Sequence, residues 1–168
     1  PFGIARSYAA AGAETIDAPV ARFRALWRLG LAAEIAGAAA AALDRTVAYV
    51  KERHQFNRPI GSFQAVQHRL AECAVAVRGM RMLALKAGAS GAAEDAALAV
   101  VFAQRQASRI CYDLQQFHGA IGLTVEYPLH YWTHRIKALE GELGGASVNA
   151  RSAALAMSSF YDPRAAAA

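Results

Sequence analysis

Cysteine, charge and long apolar runs are all scarce in this chain, and each shortage removes a class of answer. The two cysteines in 168 residues, Cys73 and Cys111, lie in apolar helical stretches with no ligand-type residue at metal spacing. They read as buried reduced thiols and exclude a disulfide framework. Among the histidines, His130 and His134 share an i, i+4 spacing, but no third ligand lies near them and no metal is expected. No uninterrupted apolar run reaches the ~18 residues of a bilayer-spanning helix, because Arg, Glu or Asp breaks every candidate. The N-terminus shows no basic region followed by an apolar block. A soluble, cytoplasmic protein with no membrane partner is the expectation. Net charge is +5, yet the basic residues are scattered, with no Lys/Arg run or aromatic-basic stripe, so no nucleic-acid partner is expected.

What the chain has in abundance is alanine, 42 of 168 residues. Alanine is the best helix former, and its small side chain lets helices approach closely. With 55% hydrophobic and 18% charged residues the chain is far from a disordered composition. Residues 1–18 show no sustained period and read as a linker or the remnant of an upstream domain. A bundle is expected over 19–162, and 163–168 are a tail. Asp17 and Pro19 suit a helix start, and the first helix then runs to about Arg53. Its stretch Leu29 to Leu43 is apolar or small nearly all round except at Glu34, which places it centrally and demands cover on several sides. Asn57-Arg58-Pro59 and Gly61-Ser62 break the chain, with Ser62 as the expected cap of a second helix from Phe63 to about Lys86. A third helix follows Gly88–Gly91 and runs to about Phe117, aided by Glu94 and Asp95 at its start. A fourth opens at Pro128 and ends near Gly144-Gly145, and a last one covers about Ser147 to Phe160. The fold class is therefore all-α, an antiparallel four- to five-helix up-and-down bundle.

Two segments carry more than helix punctuation. Arg53 to Gln67 reads R-H-Q-F-N-R-P-I-G-S-F-Q-A-V-Q, and Gln116 to Pro128 reads Q-F-H-G-A-I-G-L-T-V-E-Y-P. Taken singly, the first is a charged helix end, a turn and a helix start, and the second a Gly-terminated helix. Their chemistry also fits a phosphate-rich ligand. A guanidinium forks onto pyrophosphate oxygens, an aromatic ring offers a face to adenine, and glycine lets backbone amides approach an anion.

In this order and spacing the two segments resemble the C-terminal helical domain of the acyl-CoA dehydrogenases, FAD-dependent enzymes that desaturate acyl-CoA thioesters between Cα and Cβ. The resemblance spans roughly Arg22 to Phe160. It implies that Arg53, His54, Gln55, Phe56 and Gln64 contact the FAD of a neighbouring subunit. It places Gln116, Phe117, His118, Gly119 and Ala120 against the ADP part of that cofactor. Asn57 and Ala120 stand where the family usually has glycine. Arg28 aligns with a family arginine near the coenzyme A nucleotide, although Ala25 replaces the acidic residue that usually precedes it. The implied partners are an acyl-CoA substrate (a fatty-acid or steroid side-chain thioester), a homo-oligomer or a heteromeric dehydrogenase partner, and an electron-transfer acceptor.

The catalytic base is left unassigned. The chemistry needs a carboxylate to remove the α-proton, and the family's two placements fall at Leu143-Gly144-Gly145 and at Trp27. Glu142, Glu140 and Glu34 lie nearby, and Glu34 also reads as an ordinary solvated or hydrogen-bonded glutamate. Three functions stay open: the C-terminal domain of an active dehydrogenase, a non-catalytic subunit of a heteromeric one, and a helical binding or structural bundle without flavin.

Overall fold

The computed structural model of the chain describes residues 19–158. Five helices account for most of them: α1 (Val20–Glu52), α2 (Gln64–Ser90), α3 (Ala93–His118), α4 (Leu129–Glu140) and α5 (Gly145–Ser158). The one sheet among the described residues is a two-stranded hairpin, β1 (His54–Gln55) with β2 (Arg58–Pro59), between α1 and α2. The all-α bundle expected from composition is what forms. Asp17, Phe160 and the segments 1–18 and 159–168 lie outside the described residues.

Alanine sets the spacing of the helices. Ala32, Ala39 and Ala42 on α1, and Ala99, Ala103 and Ala107 on α3, are almost wholly buried, and their three- and four-residue steps hold one face of each helix. Ile35, Met80, Ile110, Leu114, Leu129 and Ile136 fill the space around this seam. The first helix is central, touching α2, α3 and α4. Its cover is incomplete, however, since Ala33, Glu34 and Gly37 remain exposed. By length and mean composition α1 is apolar enough to cross a membrane, a window the unbroken-run criterion passed over because Glu34 interrupts it. The positions from Leu31 to Val50 that are buried recur at helical spacing, the pattern of a core helix.

Helix ends depart from expectation in physical detail. Ser62 does not cap α2: it lies in a short 3-10 turn, Ile60–Ser62, and its hydroxyl donates to Pro59 O at 2.7 Å. Phe63 takes the cap position and α2 starts without a side-chain cap. At the other end α2 continues through Gly88 to Ser90, because the left-handed residue that stops it is Gly91, φ 65°. Asp95 then pins the α2–α3 corner, accepting from Ser90 Oγ at 2.7 Å and pairing with Lys86 at 2.9 Å. The fourth helix stops at Glu140, short of the expected glycines, since Leu143, Gly144 and Gly145 all have positive φ.

Candidate functional site

The α1–α2 connection is a tight hairpin in which Gln55 faces Arg58 and His54 faces Pro59. Its two turn residues, Phe56 (φ 53°) and Asn57 (φ 60°), are both left-handed, as a two-residue hairpin of this hand requires. Asn tolerates that region, but a bulky phenylalanine there is strained, and its ring is 86% exposed. Phe63 meets the Phe56 ring edge-on at 6.1 Å, and the Arg58 guanidinium lies 3.9 Å from the Phe63 ring centroid. Arg53, His54, Gln55 and Gln64 are all exposed at this end. Arg53 is held by its backbone, donating to Tyr49 O at 2.9 Å and accepting from Ile60 N at 2.8 Å. That leaves its guanidinium facing water, next to a helix whose first amides carry no side-chain cap, a combination that favours anions.

The end of α3 lies beside this hairpin. His118 is buried and stacks on Tyr49 with centroids 4.3 Å apart, and Tyr127 completes a three-ring cluster, 4.7 Å from His118 and 5.6 Å from Tyr49. Because Tyr49 is one turn before Arg53, this stack ties both sequence motifs to one end of the bundle. His118 Nδ1 lies 2.8 Å from Leu114 O and must donate to it, so Nε2 is a bare acceptor, and it has no partner. Burial pushes the imidazole below its usual range, the bond to Leu114 acting in the opposite sense. Gly119 follows with φ 63° and ψ −143°, a combination that only glycine adopts readily. Ala120 is exposed and has no positive φ, so alanine replaces glycine there without backbone strain. Gln116 and Gly119 line a shallow hollow of about 200 Å³ with Tyr112, Gln115 and Leu123; Phe117 is half-buried beside them.

One turn further down α3, Asp113 is buried and receives Arg69 of α2 at 3.3 Å and Arg109 at 3.7 Å. Cys73 Sγ reaches the same carboxylate at 3.9 Å. Burial first, and then this carboxylate, push the Cys73 thiol up to about 11. Cys111 is likewise raised to about 12, chiefly by burial, and both cysteines are free.

Arg28 stands at the opposite end, roughly 37 Å from Arg53 along α1 at the helical rise. It starts a directed chain of hydrogen bonds. Arg28 Nε donates to Asn149 Oδ1 at 3.0 Å, and Asn149 Nδ2 donates to Gln104 Oε1 at 3.1 Å. Gln104 Nε2 donates to Leu139 O at 3.2 Å and Glu142 O at 3.0 Å, while Asn149 also donates to Gly145 O at 3.0 Å. Gln104 and Asn149 are buried with both amide groups fully used, as buried amides must be. The relay thus ties Arg28 of α1, through Asn149 of α5 and Gln104 of α3, to the end of α4 and the loop 141–145, where the aligned Leu143-Gly144-Gly145 lie.

Two of the three carboxylates near that loop are paired, while Glu142, half-buried in it, makes no side-chain hydrogen bond or ion pair among the described residues. Glu34 is exposed and accepts from Arg135 at 2.5 Å. Burial would raise the Glu140 carboxyl, but bonds from Lys137 and Ser108 outweigh it and hold it below the usual range. The residues around both ends that were not singled out as site residues are Tyr49, Tyr127, Gln104 and Asn149. Only Tyr127, beside Pro128, carried any local signal.

Residues 20–157 match the family model described as acyl-CoA dehydrogenase, C-terminal domain. A curated relative, acyl-CoA dehydrogenase IpdE2 of Mycolicibacterium smegmatis, is 43% identical over 105 residues, 62% of this chain and 34% of the relative. Butyryl-CoA dehydrogenase of Megasphaera elsdenii superposes with a TM-score of 0.77 at 30% identity, over 82% of this chain and 38% of that one. The ChsE4–ChsE5 complex of Mycobacterium tuberculosis gives 0.76 at 32% identity, over 80% and 38%. The chain therefore spans about a third of the length of the relatives it matches.

Proposed function

The chain belongs to the acyl-CoA dehydrogenase family, as its C-terminal helical domain, and from that premise we propose that it supplies the ADP-side contacts to the FAD of a neighbouring subunit. The observation that carries the reading is the convergence of both motifs on one end of the bundle, tied by the Tyr49–His118 stack. The residues there fit an anionic dinucleotide. The Arg53 guanidinium has no ion pair among the described residues, α2 presents an uncapped N-terminus, and Gly119 is exposed with no side chain to bar an approaching ligand. Bound FAD would accept the hydride that leaves Cβ of the acyl-CoA thioester. The part played by this chain is to hold the cofactor's phosphates and adenosine, and to contribute contacts between subunits. Electrons then pass to an external acceptor.

Neither aligned base position is acidic, and of the three nearby carboxylates Glu34 and Glu140 are engaged in ion pairs, with Glu142 alone unpaired among the described residues. That observation favours a second reading, in which the chain is the non-catalytic member of a heteromeric dehydrogenase and completes a partner's flavin site. Its similarity to one component of the ChsE4–ChsE5 complex is in keeping with that arrangement.

Flavin retention tests the site. In the assembled flavoprotein, Arg53→Ala removes a charge-assisted contact worth ~1.5–3 kcal/mol, so FAD affinity is expected to drop roughly ten- to a hundredfold. Arg105, exposed on α3, is the control, and its replacement by alanine should leave binding unchanged. Equal flavin content in the wild type and Arg53→Ala after stringent dilution would sink the assignment.

A further inference from the structure

The loop after α3 is seated on one histidine. It forms a 3-10 turn, Gly119–Leu123, whose Ile121 and Leu123 side chains are 40% and 73% exposed and add little anchorage. Gly122 is buried in the turn, and a Cβ added to it would lie 2.7 Å from His118 Cβ and 3.0 Å from Gln115 O. The turn therefore rests directly on the end of α3, with His118 as its seat. The imidazole also packs with Tyr49, one turn before Arg53, and with Tyr127 at the far end of the loop. One side chain thus supports the backbone of the second motif and leans on the helix that carries the first.

This imidazole fits its place only when neutral. Nδ1 donates to Leu114 O at 2.8 Å, and Nε2 is buried without a partner. The groups that face the ring are Tyr49 from α1, Tyr127 from the loop and the Leu114 carbonyl from α3 itself. Arg45 and Glu52 of α1 act electrostatically on Tyr127, and neither bonds to the ring. A proton on Nε2 would be a buried cation with no acceptor, a state relieved by turning the ring towards water. Burial holds the ring below its usual range, the sense that this cost requires. Turning it out displaces Gly122, which packs against His118 Cβ. We propose that His118 is a proton-operated latch on the cofactor loop: protonation of Nε2 frees the Gly119–Leu123 turn and loosens its hold on the ADP end of FAD. His118 is then a positioning residue, acting through the Gly119 backbone and not by touching the cofactor. The proposal rests on the flavin reading above, but the turn is measured without flavin, so either can fail alone.

Amide exchange of the 168-residue chain reads the turn directly. Between about pH 7.5 and about pH 5.5 the protection factors of Gly122 to Thr124 should fall by up to about tenfold, the limit for an opened ring that titrates at about 6.5. Ala92, at the α2–α3 corner, should keep its protection. In His118→Phe the fall should vanish. Gly122→Ala should open the turn already at neutral pH, because its Cβ takes the space of the seat. In the assembled flavoprotein, FAD release should quicken by a similar factor over the same interval in the wild type, and not in His118→Phe. His54→Gln, on the exposed hairpin, should leave that pH dependence in place. A turn whose protection ignores pH would overturn the proposal. So would a His118→Phe variant with the wild-type response, a Gly122→Ala variant as closed as the wild type, or a turn that opens without quickening FAD release.

Discussion

His118 shows how one side chain can hold a loop and make it sensitive to acid. Its ring packs with those of Tyr49 and Tyr127 in one cluster of three, and Gly122 packs so close that a Cβ there would come within 2.7 Å of the His118 Cβ. The Nε2 atom has no partner, so a proton on it would be a buried charge without an acceptor. Burial places the folded titration below the unfolded one, and as pH falls the unfolded chain takes up the proton first. The stability contributed by the neutral ring is complete above about pH 6.5 and declines as pH drops through that value towards the depressed one. His118→Phe keeps the stack and removes the titration. The urea midpoint of the wild type is expected to fall more steeply from neutral to mildly acidic pH than that of the variant. Equal slopes would show that His118 does not titrate in this interval.

Among the elements, the loop between α4 and α5 depends on partners far away in sequence. Gln104→Leu removes a donor to Glu142 O in that loop, a donor to Leu139 O at the end of α4, and the acceptor for Asn149, leaving buried groups unpaired at a cost of ~1–3 kcal/mol. Amide exchange in 141–145 is expected to accelerate more than exchange in the α1–α3 seam; uniform acceleration would mean that the relay serves only global stability. The α1–α2 hairpin makes the reverse prediction. Phe56→Gly relieves a strained left-handed phenylalanine, so the isolated chain should hold its stability or gain slightly, while the assembled flavoprotein loses FAD affinity if the exposed ring meets adenine. Retained affinity would count against that contact.

Legibility followed the same division. Helix ends marked by glycine or proline were readable to within a few residues, because Gly91, Gly119 and Pro128 each leave a local signature. The hairpin was not, since Phe-Asn lacks the glycine that usually announces such a turn. His118 read as a loop residue of the motif, and only packing against Tyr49 reveals that it is buried. Arg28, Gln104 and Asn149 stand 45 and more residues apart, and no periodicity links an amide on α3 to one on α5. The family alignment located the loops without showing what braces them.

At the scale of the whole molecule, the two thiols report on the integrity of the bundle. Cys73 lies between α2 and α3 and Cys111 faces Thr133 O of α4, so no single helix end frays far enough to expose both. With the thiols raised to about 11 and about 12, alkylation in neutral buffer should be negligible until the bundle opens, and the labelling rate should follow the global unfolding equilibrium. Labelling at the rate of a free thiol under native conditions would contradict the packing.

The first helix has one more property that follows from its length. Thirty-three residues from Val20 to Glu52 run without a proline, so α1 is a stiff beam with Arg28 towards one end, Tyr49 and Arg53 at the other, and a hollow lined by Ala33, Ala36, Gly37 and Ala40 between them. A beam pivots. Tilting it by ~5° about its middle moves each end by ~2 Å in opposite directions, given the ~1.5 Å rise per residue. Whatever bears on that hollow therefore sits at the fulcrum, with the two ends of the bundle on opposite arms.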